Sequence, residues 1–194
     1  MKKKVGLICI ILGLAMVLGA LSLFLHNQWE AREAEKSAEK ILPQVVEAIE
    51  GNIDNVPNPY DPVMTAVEID GYNYIGYLAI PDLGLELPIM EEWDYTRLKI
   101  APCRYFGSTK TNDLVLAAHN YLWHFGKLSK LGIGAEMIFT DMDGVSKHYT
   151  VEEVYVASPY VIEEVTSGEY DLTLFTCTYG GRSRVIVRCN AVEN

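Results

Sequence analysis

The chain has 194 residues, with 16 Lys plus Arg against 26 Asp plus Glu and a formal net charge of -10. That length suits one compact domain, or one domain with an appendage. An acidic chain repels polyanions, so binding of nucleic acid through a basic face is not expected.

The first element is the most apolar. Lys2, Lys3 and Lys4 are followed by Val5 to Leu25, a run of 21 residues without a charged side chain. As a helix rising about 1.5 Å per residue, it matches the roughly 30 Å hydrocarbon core of a bilayer. A cleaved secretory signal has a shorter apolar core, about 7–15 residues. Ala20-Leu21-Ser22 would pass as a cleavage site, but Leu23, Phe24 and Leu25 extend the run beyond it. The length favours a retained transmembrane anchor over residues 5–25, behind a cytoplasmic tail of residues 1–4. The lysines stay inside by the positive-inside rule, so everything after residue 25 is expected outside the cell as a single-pass protein. That remainder carries 13 basic and 26 acidic residues.

Residues 26–62 read as a stalk helix and a Pro-rich linker. Ile41, Leu42, Val45, Val46 and Ile49 give Gln28 to Glu50 an amphipathic pattern, with a bend expected at Pro43. A solvated stalk is preferred to a helix docked on the body. Pro57, Pro59 and Pro62 mark the linker, and the compact domain is placed at residues 63–194.

Beyond Val63 the chain reads as mainly β. Short β-branched and aromatic runs predict strands at Tyr74–Ile80, Glu86–Met90, Asp113–Ala118, Glu136–Thr140, Lys147–Val156, Tyr160–Glu163, Tyr170–Thr176 and Arg184–Arg188. Brief helical pieces are expected at Tyr95–Lys99 and Trp123–Lys130. Eight short strands suit a closed β-barrel, although spacing alone equally allows a sandwich.

Four cysteines are present, without a CxxC pair, so neither a zinc site nor a redox motif is indicated. Cys9 lies in the apolar run. Cys103 and Cys189 read as structural, with a disulfide between them open. Cys177 ends an apolar strand and opens onto Thr178-Tyr179-Gly180-Gly181, with Arg182 and Arg184 close behind. Nearby cations favour the nucleophilic thiolate, although a buried strand-end cysteine is the simpler reading of that residue taken alone. His119 has the same placement, closing Leu114–Ala118 before Asn120-Tyr121. It is the best candidate among the four histidines for acid–base work.

These residues also carry a family likeness. Thr173-Leu174-Phe175-Thr176-Cys177 fits the TLxTC signature of sortases, the membrane-anchored cysteine transpeptidases of Gram-positive bacteria. Tyr74-Ile75-Gly76-Tyr77-Leu78-Ala79-Ile80-Pro81 with Leu87-Pro88-Ile89 resembles the family's opening strands. Leu116-Ala117-Ala118-His119-Asn120 resembles its histidine segment, with Ala118 where Gly is common. Arg184-Val185-Ile186-Val187 is similar to the start of its final strand. The likeness spans Tyr74 to Arg188.

The resemblance implies a closed eight-stranded barrel with Cys177 as nucleophile and His119 as general acid/base. It implies Arg184 as the arginine that holds substrate and stabilises the oxyanion. Arg182, two residues earlier, faces the same side if the strand already runs there, so it stays open as a substrate-binding residue, as does Thr176 through its hydroxyl or backbone. It implies partners of two kinds, surface proteins bearing a C-terminal sorting signal and an amine of the cell-wall peptide. No cofactor and no metal are expected; Asp141, Asp143, Glu152 and Glu153 lack a calcium-loop pattern. Specificity is assigned to the loop between Val156 and Tyr170, with Glu163 and Glu164. Pilus-building members often carry an Asp-Pro-aromatic lid and a second membrane segment. Here Asp61-Pro62 precedes Val63, and no second apolar run follows. Cell-wall anchoring is therefore favoured over the alternatives: pilin polymerisation, simple proteolytic release, or a non-catalytic tethered β module.

Overall fold

A computed structural model describes residues 2–52, 62–160 and 162–192. One long helix, α1 (Lys2–Asn52), precedes nine strands. These are β1 (Val67–Ile69), β2 (Tyr72–Ile80), β3 (Leu85–Met90), β4 (Cys103–Phe106), β5 (Leu114–Ala118), β6 (Glu136–Asp141), β7 (Ser146–Ala157), β8 (Leu172–Cys177) and β9 (Arg184–Ala191). A single turn of helix, α2 (Ile162–Val165), lies between β7 and β8.

The strands pair in the order β1-β2-β3-β4-β5-β8-β9-β7-β6, and β6 returns to pair with β2. Eight strands thereby close into a barrel, with β1 as an extra ribbon on β2. The ladders are antiparallel except β3–β4 and β5–β8, which are parallel. Closure depends on Gly76, at φ +140, where an added Cβ would lie 2.0 Å from the Thr140 carbonyl oxygen. The glycine of the opening motif is thus required by the approach of β6. Alternation fills the interior: Leu114, Leu116, Leu172, Leu174, Val187 and Cys189 point into one buried cluster.

The barrel was the expected architecture; its strand list differs in three places. Strand β1 was not anticipated, although Asp70-Gly71 forms the two-residue turn between β1 and β2, both residues at positive φ. Strand β4 follows Pro102 and carries Arg104, so its short run gave little signal. The strand expected at Tyr160–Glu163 is not formed: Tyr160 lies in a turn, and Ile162 and Glu163 open α2.

The N-terminal helix differs more. Residues 6–25 are exposed along their whole length, and α1 is the one helix among the described residues long and apolar enough to cross a membrane. Past Glu30, however, α1 is docked rather than solvated. Ala34, Ala38, Ile41, Val45 and Ile49 form one buried stripe, the last three packing with Ile69, Tyr74, Met90 and Ala117. Burying the three large side chains contributes roughly 2 kcal/mol each as an upper bound. Pro43 sits within the helix on its exposed face, where the carbonyl it leaves unbonded can meet water. The linker stretch at 53–61, with Asp61 of the Asp-Pro pair, lies outside the described residues.

Candidate active site

Parallel pairing of β5 and β8 sets Ala118 beside Thr176. The next residues, His119 and Cys177, therefore leave adjacent strand ends at one rim. Antiparallel pairing of β8 with β9 sets Cys177 opposite Arg184. Period-two alternation then fixes the face. Leu116 and Ala118, Leu172 and Leu174, and Val185 and Val187 belong to the barrel interior. His119, Cys177 and Arg184 are each out of phase with those positions, so all three project from the outer face. Together they line one cavity of about 280 Å³.

The rest of that cavity is apolar and aromatic. Tyr105 packs edge-on against Phe175 with ring centroids 5.1 Å apart, and Trp93 lies 5.1 Å from Tyr105. Leu98 and Ala117 contribute to its lining, as do Pro159 and Val165 from the β7–β8 connection. None of these aromatics stood out in the sequence. The outward phase of Tyr105 and Phe175 is visible only once β4 and β8 are in register.

His119 is partly buried, and its Nε2 has no hydrogen-bond partner among the described residues. Its ring lies 5.0 Å from Tyr121. Burial and the nearby Lys99 ammonium hold its pKa below the usual histidine range, while Glu30 acts in the opposite sense. Lys99 Nζ lies 2.9 Å from Glu30 Oε1, an ion pair that links α1 to the site. The Arg184 guanidinium donates to the carbonyls of Gly181 and Ser183 at 3.2 and 3.1 Å, bracing the turn beside Cys177. Both of these partners are backbone carbonyls, and no ion pair to a carboxylate is made among the described residues, so its charge is available to an anion.

Thr176 is buried and lines the cavity, while its hydroxyl donates to the Ala118 carbonyl at 2.8 Å. It ties together the two strand ends that carry Cys177 and His119. Arg182 is exposed in the turn and does not line the cavity. Strand β9 begins at Arg184, so the alternation that aims Arg184 does not extend to Arg182.

Cys103 and Cys189 are both buried free thiols in separate hydrophobic clusters, so the disulfide left open between them does not form. Burial pushes each thiol up to about 12. Cys177, by contrast, is partly exposed.

One further residue shapes the site from behind. Arg188 is buried with its guanidinium 5.3 Å from the Tyr155 ring and 4.8 Å from the Tyr170 ring. It donates to Glu164 at 3.0 Å and lies 3.5 Å from Glu169. Tyr155 also donates to Glu164 at 2.5 Å. The connection that supplies Pro159 and Val165 is clamped to the barrel by this cluster. Glu164 thus faces Arg188 rather than standing free in a specificity loop. Among the described residues no group of acidic, Cys or His side chains is arranged to hold a metal ion.

A sequence model of the sortase domain matches residues 78–192. No curated protein matches the chain. Among solved structures the chain is similar to sortase C1 from Streptococcus suis at 26% identity, covering 62% of this chain and 74% of that one, with a TM-score of 0.54. It shares its fold with Streptococcus pneumoniae sortase C at 21% identity, 85% and 89% coverage and TM-score 0.58. The same holds for the Clostridium perfringens sortase D5 transpeptidase, at 19% identity, 84% and 99% coverage and TM-score 0.59.

Proposed function

Since the chain belongs to the sortase family, we propose that it is a membrane-anchored cysteine transpeptidase acting outside the cell on surface proteins. It cleaves their C-terminal sorting signal through a thioester on Cys177 and transfers the acyl group to an amine of the cell-wall peptide. The observation that carries this reading is the shared outward face of Cys177, His119 and Arg184 around one cavity.

In this reading Cys177 Sγ attacks the scissile carbonyl of the sorting motif while neutral His119 takes the thiol proton. The depressed histidine pKa supports a neutral imidazole as the resting acceptor. The resulting imidazolium gives that proton to the departing amine as the C–N bond breaks, leaving the thioester. In the second half His119 takes a proton from the incoming amine as it attacks the thioester; the amide forms, the C–S bond breaks, and the imidazolium returns the proton to the Cys177 thiolate. Arg184 stabilises the oxyanion of both tetrahedral intermediates, and its fixed charge at the rim supports that role. The aromatic floor formed by Trp93, Tyr105 and Phe175 suits an apolar side chain of the motif next to the scissile bond. Residues 5–25 hold the enzyme in the membrane, where tethered substrates emerge.

Incubation of the full chain with sorting-motif peptides, with and without an added amine, tests the reading by mass spectrometry. Slow hydrolysis with strong acceleration by amine is expected. Hydrolysis that ignores amine would make the protein a protease instead. Pilin polymerisation is the second reading, favoured by the solved structures of similar fold that are described as pilus-related sortase C. It requires a lysine side chain of a folded pilin as the preferred acceptor over a cell-wall peptide amine.

A further inference from the structure

We propose that the loop after β5, residues 121–127, is a membrane-seating surface that rests on the outer leaflet of the bilayer crossed by α1. The inference rests on the reading of residues 5–25 as the anchor, and it adds a second point of contact to it.

Height comes first. Helix α1 runs without interruption from the apolar stretch into its docked portion. Glu30 and Ala34 lie about 8 and 14 Å beyond Leu25 along the helix axis. The polar headgroup layer occupies roughly 5–8 Å beyond the hydrocarbon on each side, and an ordinary tilt lowers the helix further. The loop after β5 is fixed at this level. Phe125 packs in one buried cluster with Ala38 of α1, Lys99 pairs with Glu30, Tyr121 lies within electrostatic reach of Glu30, and His124 lies beside the Ala34 backbone. The first docked turn of α1 therefore holds this loop at the outer edge of the headgroup layer.

Composition comes second. His124 and Phe125 are fully buried and anchor the loop, while Leu122 and Trp123 remain 56% and 41% exposed. Trp29, at the helix exit, is 59% exposed. The Lys127 ammonium sits 4.1 Å from the centre of the Trp123 ring, giving an apolar ring with a cationic edge. No Asp or Glu occurs between Asp113 and Glu136, although the chain holds 26 acidic residues. Lys127 and Lys130 are thus left without nearby acidic residues in sequence on an otherwise acidic body. Trp with Lys at headgroup depth suits a surface of anionic phospholipid. The seat keeps His119, two residues before the loop, close to the plane from which a tethered substrate emerges.

The test uses the full chain in vesicles of phosphatidylglycerol and phosphatidylcholine, with plain or brominated acyl chains. Variants retaining a single tryptophan are compared: Trp29 alone, Trp123 alone, and a control chain with all three tryptophans changed to Phe plus Val145→Trp. Val145 lies in the β6–β7 turn with Met142, which packs near Ile49 at the far end of the helix. Brominated chains are expected to dim both Trp29 and Trp123, Trp29 the more strongly, and to leave the control's introduced indole unchanged. Dimming of Trp29 without Trp123 overturns the seat while leaving the anchor intact. No dimming of Trp29 overturns the anchor, and the seat with it. Trp123 shielded only as protein density rises would assign the patch to a second copy and overturn the proposal. Dimming of the control would show the body lying on the bilayer without a preferred face, and would overturn it equally.

Discussion

Cys177 and Arg184 stand directly opposite each other across the β8–β9 ladder, so the thiol and the guanidinium leave the barrel on one face of one strand pair. Neither can change its position without a slip of register, and such a slip would turn the interior residues of β9 outward.

Cys177→Ala is expected to abolish acyl-adduct formation with a sorting-motif peptide. Cys103→Ala and Cys189→Ala should retain it, at a stability loss of about 1–2 kcal/mol each. Their thiols, pushed to about 12 by burial, should also resist iodoacetamide at mildly alkaline pH. Intact-mass spectrometry reads both results. An adduct on the Cys177→Ala chain would move the nucleophile elsewhere.

Arg184→Lys should slow single-turnover acylation by about a hundredfold, as expected when one preorganised donor to the oxyanion is lost. Arg182→Lys, at an exposed turn position outside the cavity, should remain within about twofold. The contrast follows from the β9 boundary at Arg184. Equal losses would remove the distinction between the two arginines.

Arg188→Met should loosen the β7–β8 connection by releasing Glu164 and Glu169. The loss is expected to be about 1–2 kcal/mol, because both carboxylates are substantially exposed and regain water. KM for the peptide should rise more than kcat falls, with new proteolytic cleavage near α2. Unchanged KM would separate this cluster from substrate recognition.

Acid should weaken the fold through His124. Burial is the main force pushing its imidazole down to about 4, with nearby His119 adding to it. The unfolded chain takes up that proton near pH 6.5. Stability is therefore unaffected above about pH 6.5 and falls from there toward pH 4, by roughly 3 kcal/mol. The lowered pKa of His119 acts with the same sign. Denaturant midpoints across this range should decline less steeply for His124→Leu than for the parent. Parallel declines would assign the titration to other groups.

The docked half of α1 makes a further prediction. A chain beginning at Val63 exposes the face formed by Ile69, Tyr74, Met90 and Ala117, and should aggregate or melt well below a chain beginning at His26. Val45→Ala should cost about 2 kcal/mol. Thermal melts with size-exclusion chromatography measure both. A stable, monomeric chain from Val63 would show that the helix is dispensable to the body.

Much of this site was legible because strand ends announce themselves. Cys177 and His119 each close an apolar run before polar turn residues, and seven of the eight expected strands are present. The run at Tyr160–Glu163 misled because Tyr, Val and Ile favour strands wherever they occur, whereas this segment has no ladder to join. The docking of α1 was present as a stripe of Ala34, Ala38, Ile41, Val45 and Ile49. Periodicity shows that a face is apolar without showing what covers it, and Pro43, on the exposed face, does not end the helix. The aromatic floor was invisible for another reason. Trp93, Tyr105 and Phe175 come from three separate segments, and only pairing across the sheet assembles them.

The hydrogen bond from Thr176 to Ala118 joins residues 58 positions apart in the chain. The parallel ladder behind it cannot form until the two β5–β8 segments have closed that distance, which is among the slower events in building a sheet. Cys177 and His119 are therefore apart until that pairing forms. In the proposed reading, a chain whose β5–β8 ladder has not yet closed holds Cys177 and His119 apart and has no paired thiol and imidazole to misuse.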